Sequence, residues 1–92
     1  MYEISESIYR RLAKMLIDEI GLSDFFSGSV TCYDGEVECR LVCTVVVRRS
    51  KHNPRASVGI APVWWDLYST IGQERLCNDF SFNEMLSTIG LN

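Results

Sequence analysis

Residues 29–49 have the pattern of a β-hairpin, and no other stretch of the chain restricts its fold as strongly. The dipeptide Asp34-Gly35 separates two runs in which apolar residues occupy every second position. Asp-Gly favours a two-residue type I′ turn, because both central residues of that turn need positive φ angles. A turn at Asp34-Gly35 fixes the register of the two strands. It predicts pairs of Tyr33 with Glu36, Cys32 with Val37, Thr31 with Glu38, Val30 with Cys39 and Ser29 with Arg40.

This register also sorts the side chains of the two strands by chemistry. One face receives cysteines and aliphatic residues, whereas the other carries mainly polar residues together with Val42 and Val46. A half-buried antiparallel sheet has this alternation, so we expect one face to be covered and the other to meet solvent. The residues predicted to face the core are Val30, Cys32, Val37, Cys39, Leu41, Cys43, Val45 and Val47.

Helices are predicted towards both ends of the chain. From residue 4 to residue 20, apolar side chains recur every three or four positions, and Gly21 follows where a helix cap would lie. Ser81 and Glu84 have the spacing of a capping box at the start of a second helix. Phe25-Phe26, in the link after the first helix, is expected to close the edge of the core.

Further strands are predicted at residues 56–65, with a possible continuation to residue 70, and at residues 74–80. The sequence therefore predicts the order α-β-β-β-β-α. This is an α+β fold, with an N-terminal helix, an antiparallel meander of three to four strands and a C-terminal helix. Both helices are expected to lie on one face of the sheet.

Length and composition restrict the class of protein. A chain of 92 residues can form one modest core, so we expect a single domain spanning residues 1–92. No apolar run approaches the roughly 18 residues that a transmembrane helix requires. The first residues are acidic, whereas a signal peptide begins with basic residues. We expect a cytoplasmic protein.

The four cysteines of the chain do not form a metal-binding pattern. Cys39 and Cys43 would lie about 13 Å apart along one strand, too far to share one metal ion. Cys32 and Cys39 are expected to be diagonal neighbours, and a bridge between them is one alternative. Buried, reduced thiols are the favoured interpretation in a chain without a secretion signal.

The sequence contains few candidate catalytic residues. His52 is the only histidine, and no cysteine or carboxylate lies close to it in the chain. The glycines do not have the spacing of a phosphate-binding loop. We therefore expect no enzymatic activity, no catalytic residue, no cofactor and no metal site.

A basic segment supports an alternative hypothesis, nucleic-acid binding by an accessory protein. The order of elements resembles that of double-stranded-RNA-binding domains. The final helix, however, carries Glu84 and no lysine, so the phosphate-binding residues of that family have no counterpart here. The net charge of −3 also opposes nucleic-acid binding. The candidate residues within segment 48–55 are Arg48, Arg49, Lys51 and Arg55.

The pair Trp64-Trp65 is the main candidate for a binding surface. Neighbouring side chains on a strand point to opposite faces, unless Pro62 introduces a bulge. One tryptophan is therefore expected on the face away from the helices, close to Val42 and Val46. The apolar arc of the first helix is also wide, and Ile17 lies on its flank.

The leading hypothesis is a small interaction module without catalytic function. We expect it to self-associate as a dimer, through the open sheet face or the flank of the first helix, or else to bind another protein. A small-molecule-binding domain with a tryptophan platform is a second alternative, after nucleic-acid binding.

Overall fold

The computed structural model describes residues 1–53 and 57–91, and it confirms the α+β class and the predicted order of elements. The elements are α1 (Glu6–Ile20), β1 (Phe25–Asp34), β2 (Val37–Arg49), β3 (Ser57–Ile71), β4 (Glu74–Leu76) and α2 (Phe82–Ser87). The strands form one antiparallel sheet in the order β1-β2-β3-β4, so each strand pairs with its neighbours in the chain.

The hairpin of β1 and β2 is present, but its predicted register is wrong. Asp34 pairs with Val37, so the turn residues are Gly35 and Glu36. Gly35 has φ of 60°, whereas no described residue other than glycine has positive φ. Glycine at the first of two central residues is typical of a type II′ turn, which needs positive φ at that position alone. The local sequence fits both turns, and Asp34 extends the strand.

The new register preserves the predicted faces of the hairpin. It moves each partner along by two residues, and the side-chain period of a strand is also two. The side chains predicted to face the core are buried, except that Val37 is only partly buried. Cys32 now lies directly opposite Cys39 and not diagonal to it. All four cysteines are free thiols, of which Cys77 is exposed.

A β-bulge interrupts the pairing of β2 with β3. Thr44 pairs with Trp64 and Val45 with Pro62, which leaves Val63 as an extra residue. This confirms the irregularity predicted from Pro62, because proline cannot donate a ladder hydrogen bond. Strand β3 continues to Ile71, and β4 ends earlier than predicted, at Leu76.

The core lies between the sheet and the two helices. Tyr9 and Ala13 of α1, which broaden its apolar arc, are buried in the same cluster as Met85 and Leu86 of α2. The side chains of Phe25 and Phe26 point to opposite faces of β1. Phe26 packs against the core, whereas Phe25 is 58% exposed, so the prediction that both residues close the core is wrong for Phe25.

Serines cap both helices, but the second cap differs from the predicted capping box. The Ser81 hydroxyl accepts a hydrogen bond from the backbone N–H of Glu84 at 3.3 Å. The backbone N–H of Ser81 donates to the Tyr9 hydroxyl at 2.9 Å, in the place where the box would put the glutamate side chain. Tyr9 thus fixes α1 to the start of α2. Among the described residues, neither helix is long and apolar enough to span a membrane.

Candidate interaction surface

The face of the sheet opposite the helices, here called the outer face, has a polar half near the β1–β2 turn. Arg40 and Arg75 lie over the ring of Tyr68, with guanidinium carbons 5.3 and 4.5 Å from the ring centre. Arg75 also forms an ion pair with Asp66 at 3.4 Å. The Tyr33 hydroxyl donates to the carboxylate of Glu38, its cross-strand partner, at 3.2 Å. These groups satisfy one another, so this half resembles an ordinary solvated surface.

The other half of the outer face carries a group of exposed apolar residues. Val46 pairs with Phe25 on one side and with Ala61 on the other, which places these three residues in one row across the sheet. The next row contains Trp64, opposite Thr44. Trp64 is 51% exposed, Val46 is 43% exposed, and the bulge residue Val63 is also exposed. The apolar patch consists of Phe25, Val46, Ala61, Val63 and Trp64.

The two tryptophans have different environments, as the alternation of the strand predicts. Trp64 shares the outer face with Val46, whereas Trp65 pairs with Cys43, whose side chain is buried in the core. The Trp65 ring lies 5.5 Å from Phe80 and 6.1 Å from Phe82, between ring centres, yet Trp65 remains 39% exposed. Trp65 therefore closes the rim of the core and does not belong to the patch.

Two other candidates from the sequence lie outside the patch. Val42 is on the outer face, but it is only partly exposed and pairs with Ser29 and Asp66, which are polar. Ile17 is partly buried, and with Ile89 and Leu91 it lines a groove between α1 and the C-terminal segment. The C-terminal segment thus covers part of the wide apolar arc of α1.

The basic segment does not form one convergent positive surface in the described residues. The Arg49 guanidinium donates to the carbonyls of Gly21 and Ser23 at 3.0 and 2.7 Å, so it holds the link between α1 and β1. A Cβ added at Gly59 would lie 2.8 Å from an Arg48 nitrogen, which shows that the Arg48 side chain lies across β3. Lys51 is exposed, and Arg55 lies outside the described residues.

The three buried thiols are poorly suited to act as nucleophiles. Burial raises the pKa of the Cys43 thiol to about 11, and burial also raises the pKa of Cys32 and of Cys39. A thiol with a raised pKa is protonated at neutral pH and is a poor nucleophile. His52 is exposed, and within residues 1–53 and 57–91 no three metal-ligating side chains converge.

Comparisons of this chain with models of protein families, with characterised proteins and with solved structures find no match. The surface must therefore be interpreted from its own chemistry. Sequence reasoning identified Val46 and the tryptophan pair but missed Phe25, Ala61 and Val63. The alternation of β1 and β3 could have placed Phe25 and Ala61, once the correct register was known.

Proposed function

We propose that this protein is a small interaction module that self-associates through the apolar patch on its outer face. The observation that supports this proposal is the continuity of the patch across three strands. Phe25, Val46 and Ala61 are direct neighbours in the strand register, and Trp64 lies in the adjacent row. Isolated exposed apolar residues are normal in soluble proteins, but a contiguous group is typical of an interaction site.

A second copy of the chain is a suitable partner for such a patch. A two-fold contact brings the same surface of both copies together, and closed two-fold dimers are the commonest soluble homo-oligomers. The five patch residues are uncharged, and Arg48 lies one row beyond them, across Gly59. Burial of the patch against itself therefore buries no charge within it. Trp64 can supply a large rigid contact area, as tryptophan often does at interfaces.

Val46 and Val42 provide a matched pair of variants for the test. Both are valines of β2 on the outer face, but only Val46 belongs to the patch. We expect Val46→Glu to lower the oligomeric state, as measured by light scattering. The circular dichroism spectrum should remain unchanged. Val42→Glu should leave the mass unchanged, because Val42 lies among polar neighbours.

Two results would contradict this proposal. A monomer mass for the unmodified protein at high micromolar concentration would exclude self-association and leave an unrelated protein as the partner. A loss of association in Ile17→Lys, with none in Val46→Glu, would assign the contact to the flank of α1. The nucleic-acid alternative gains no specific support from the described residues, because the side chains of Arg48 and Arg49 lie against different parts of the chain. The small-molecule alternative gains none from Trp65, which packs against Phe80 and Phe82.

A further inference from the structure

We propose that β1 is a strand-pairing edge, at which two copies of the chain join antiparallel with a two-fold axis at Ser29. The two four-stranded sheets would become one continuous sheet. This contact differs from the apolar-patch contact because it rests mainly on the backbone of β1, and the two contacts share Phe25.

The first argument is that β1 has unpaired backbone groups along its open side. Strand β1 is the edge of the sheet, and Asp34 and Val37 close the hairpin as a hydrogen-bonded pair. The even-numbered residues of β1 therefore bond to β2. Consistent with this, Val47 donates to the carbonyl of Asp24 at 2.8 Å. The backbone groups that point to the open side are those of Phe25, Ser27, Ser29, Thr31 and Tyr33.

An independent contact agrees with the direction of these groups. The Arg11 side chain of α1 donates to the Tyr33 carbonyl at 2.9 Å, so this carbonyl is accessible from outside the β1–β2 pair. A backbone carbonyl has two acceptor positions, so this bond does not prevent a second strand from using the same oxygen.

The second argument is that the strand itself has no charge, proline or bulge in residues 25–33, although the charged side chain of Arg11 from α1 lies against Tyr33. The open side of β3, by contrast, carries Pro62 and the bulge at Val63, and β4 pairs over only three residues. Proteins generally place such features on exposed edges to prevent pairing with other chains. Their absence from β1 favours pairing at this edge.

The third argument is that β1 is complementary to itself when the axis passes through Ser29. Phe25 then faces Tyr33 of the second copy, and Ser27 faces Thr31. Cross-strand aromatic pairs and hydroxyl pairs both stabilise antiparallel sheets. The five outward-pointing positions on each copy would form roughly ten backbone hydrogen bonds. A shift of two residues in either direction separates the aromatic residues, so this register is preferred.

Helix α1 adds a second seam to the same contact. It lies on the core face next to β1, so paired edges require the two α1 helices to pack roughly 8–10 Å apart. Arg11 and Met15 have helical spacing on one side, and the contact of Arg11 with Tyr33 shows that this side lies next to the edge. These two side chains of each copy would line the seam between the helices.

Opposite charges at Ser29 test this geometry directly. Only a two-fold axis at this position places Ser29 opposite itself, and Ser29 is exposed. We expect Ser29→Lys and Ser29→Glu each to weaken the edge contact by up to about fivefold, because like charges then face each other. An equimolar mixture of the two variants should restore the contact. Sedimentation velocity measures the masses, and Asn83→Lys on exposed α2 controls for the added charge.

The outcomes separate this proposal from the apolar-patch contact. Val46→Glu should leave the edge contact intact, whereas Ser29→Lys should leave the patch contact intact, and the double variant should be monomeric. If both Ser29 variants keep the mass of the unmodified protein, or if their mixture fails to restore it, the axis at Ser29 is refuted. Circular dichroism of each variant shows whether the fold is preserved.

Discussion

The β1–β2 turn offers a sharp test of the structure, because the observed turn differs from the one that the sequence predicts. We expect Gly35→Val to destabilise the fold. Gly35 has φ of 60°, and nothing lies within 4 Å of a Cβ added there. The effect is therefore conformational and not a steric clash with neighbouring residues.

The size of the effect follows from two opposing contributions. Holding a residue other than glycine at positive φ costs about 1–3 kcal/mol. Replacing glycine also removes conformational freedom from the unfolded chain, which offsets about 0.4–1 kcal/mol. The net loss in the free energy of unfolding is about 1 kcal/mol or somewhat more. In a domain of this size, each kcal/mol lowers Tm by about 4–8 °C.

Glu36→Val is the matched control for this measurement. Glu36 is the second turn residue, and it does not have positive φ. We expect Glu36→Val to change the free energy of unfolding by less than about 0.5 kcal/mol. Urea denaturation and thermal melting of both variants provide the comparison. Equal losses in the two variants, or an unchanged midpoint in Gly35→Val, would refute the type II′ turn and the register that depends on it.

Two further predictions concern protonation and charge. The raised pKa of Cys43, about 11, means that the folded state binds this proton more tightly than the unfolded state. Stability from this source is complete below about pH 9 and is lost as pH rises towards 11, by about 2–3 kcal/mol in all. Cys43→Val should lose less stability than the unmodified protein between pH 8 and pH 11 in chemical denaturation, and an equal loss would contradict the assignment. For the basic segment, we expect the unmodified protein not to bind oligonucleotides even at low salt, where phosphate contacts are strongest. If binding is seen in a filter assay, its loss on changing four residues to serine would restore the nucleic-acid hypothesis; these residues are Arg48, Arg49, Lys51 and Arg55.

The sequence determined the faces of the sheet better than the pairing of its strands. Alternation of apolar residues in β2 correctly predicts which side chains are buried, because the pleat repeats every two residues. The register depended on which two residues occupy the turn, and both Asp34-Gly35 and Gly35-Glu36 are compatible with the local sequence. Because the hairpin closes at Asp34 and Val37, each residue has a different cross-strand partner from the one predicted. Its side chain still lies on the predicted face of the sheet.

At the helix caps and links, contacts between residues near in the chain were predictable, whereas contacts between distant residues were not. Ser81 was predictable as a cap from its spacing to Glu84, since this contact is local. The bond from Ser81 to the Tyr9 hydroxyl joins residues distant in the chain, so no sequence pattern could show it. Arg49 likewise belongs to a basic segment in the sequence, yet its guanidinium binds carbonyls of the link between α1 and β1.

The candidate surface depended most on tertiary structure. The sequence by itself indicated that one tryptophan lies outside the core, because adjacent strand residues point to opposite faces. Only the fold selected Trp64, since the bulge at Val63 sets the phase of β3. It also brought Phe25, Val46 and Ala61 into one row. Local patterns determine which face a side chain occupies, whereas its neighbours across the strands are determined by a register that the whole sheet and its bulges set.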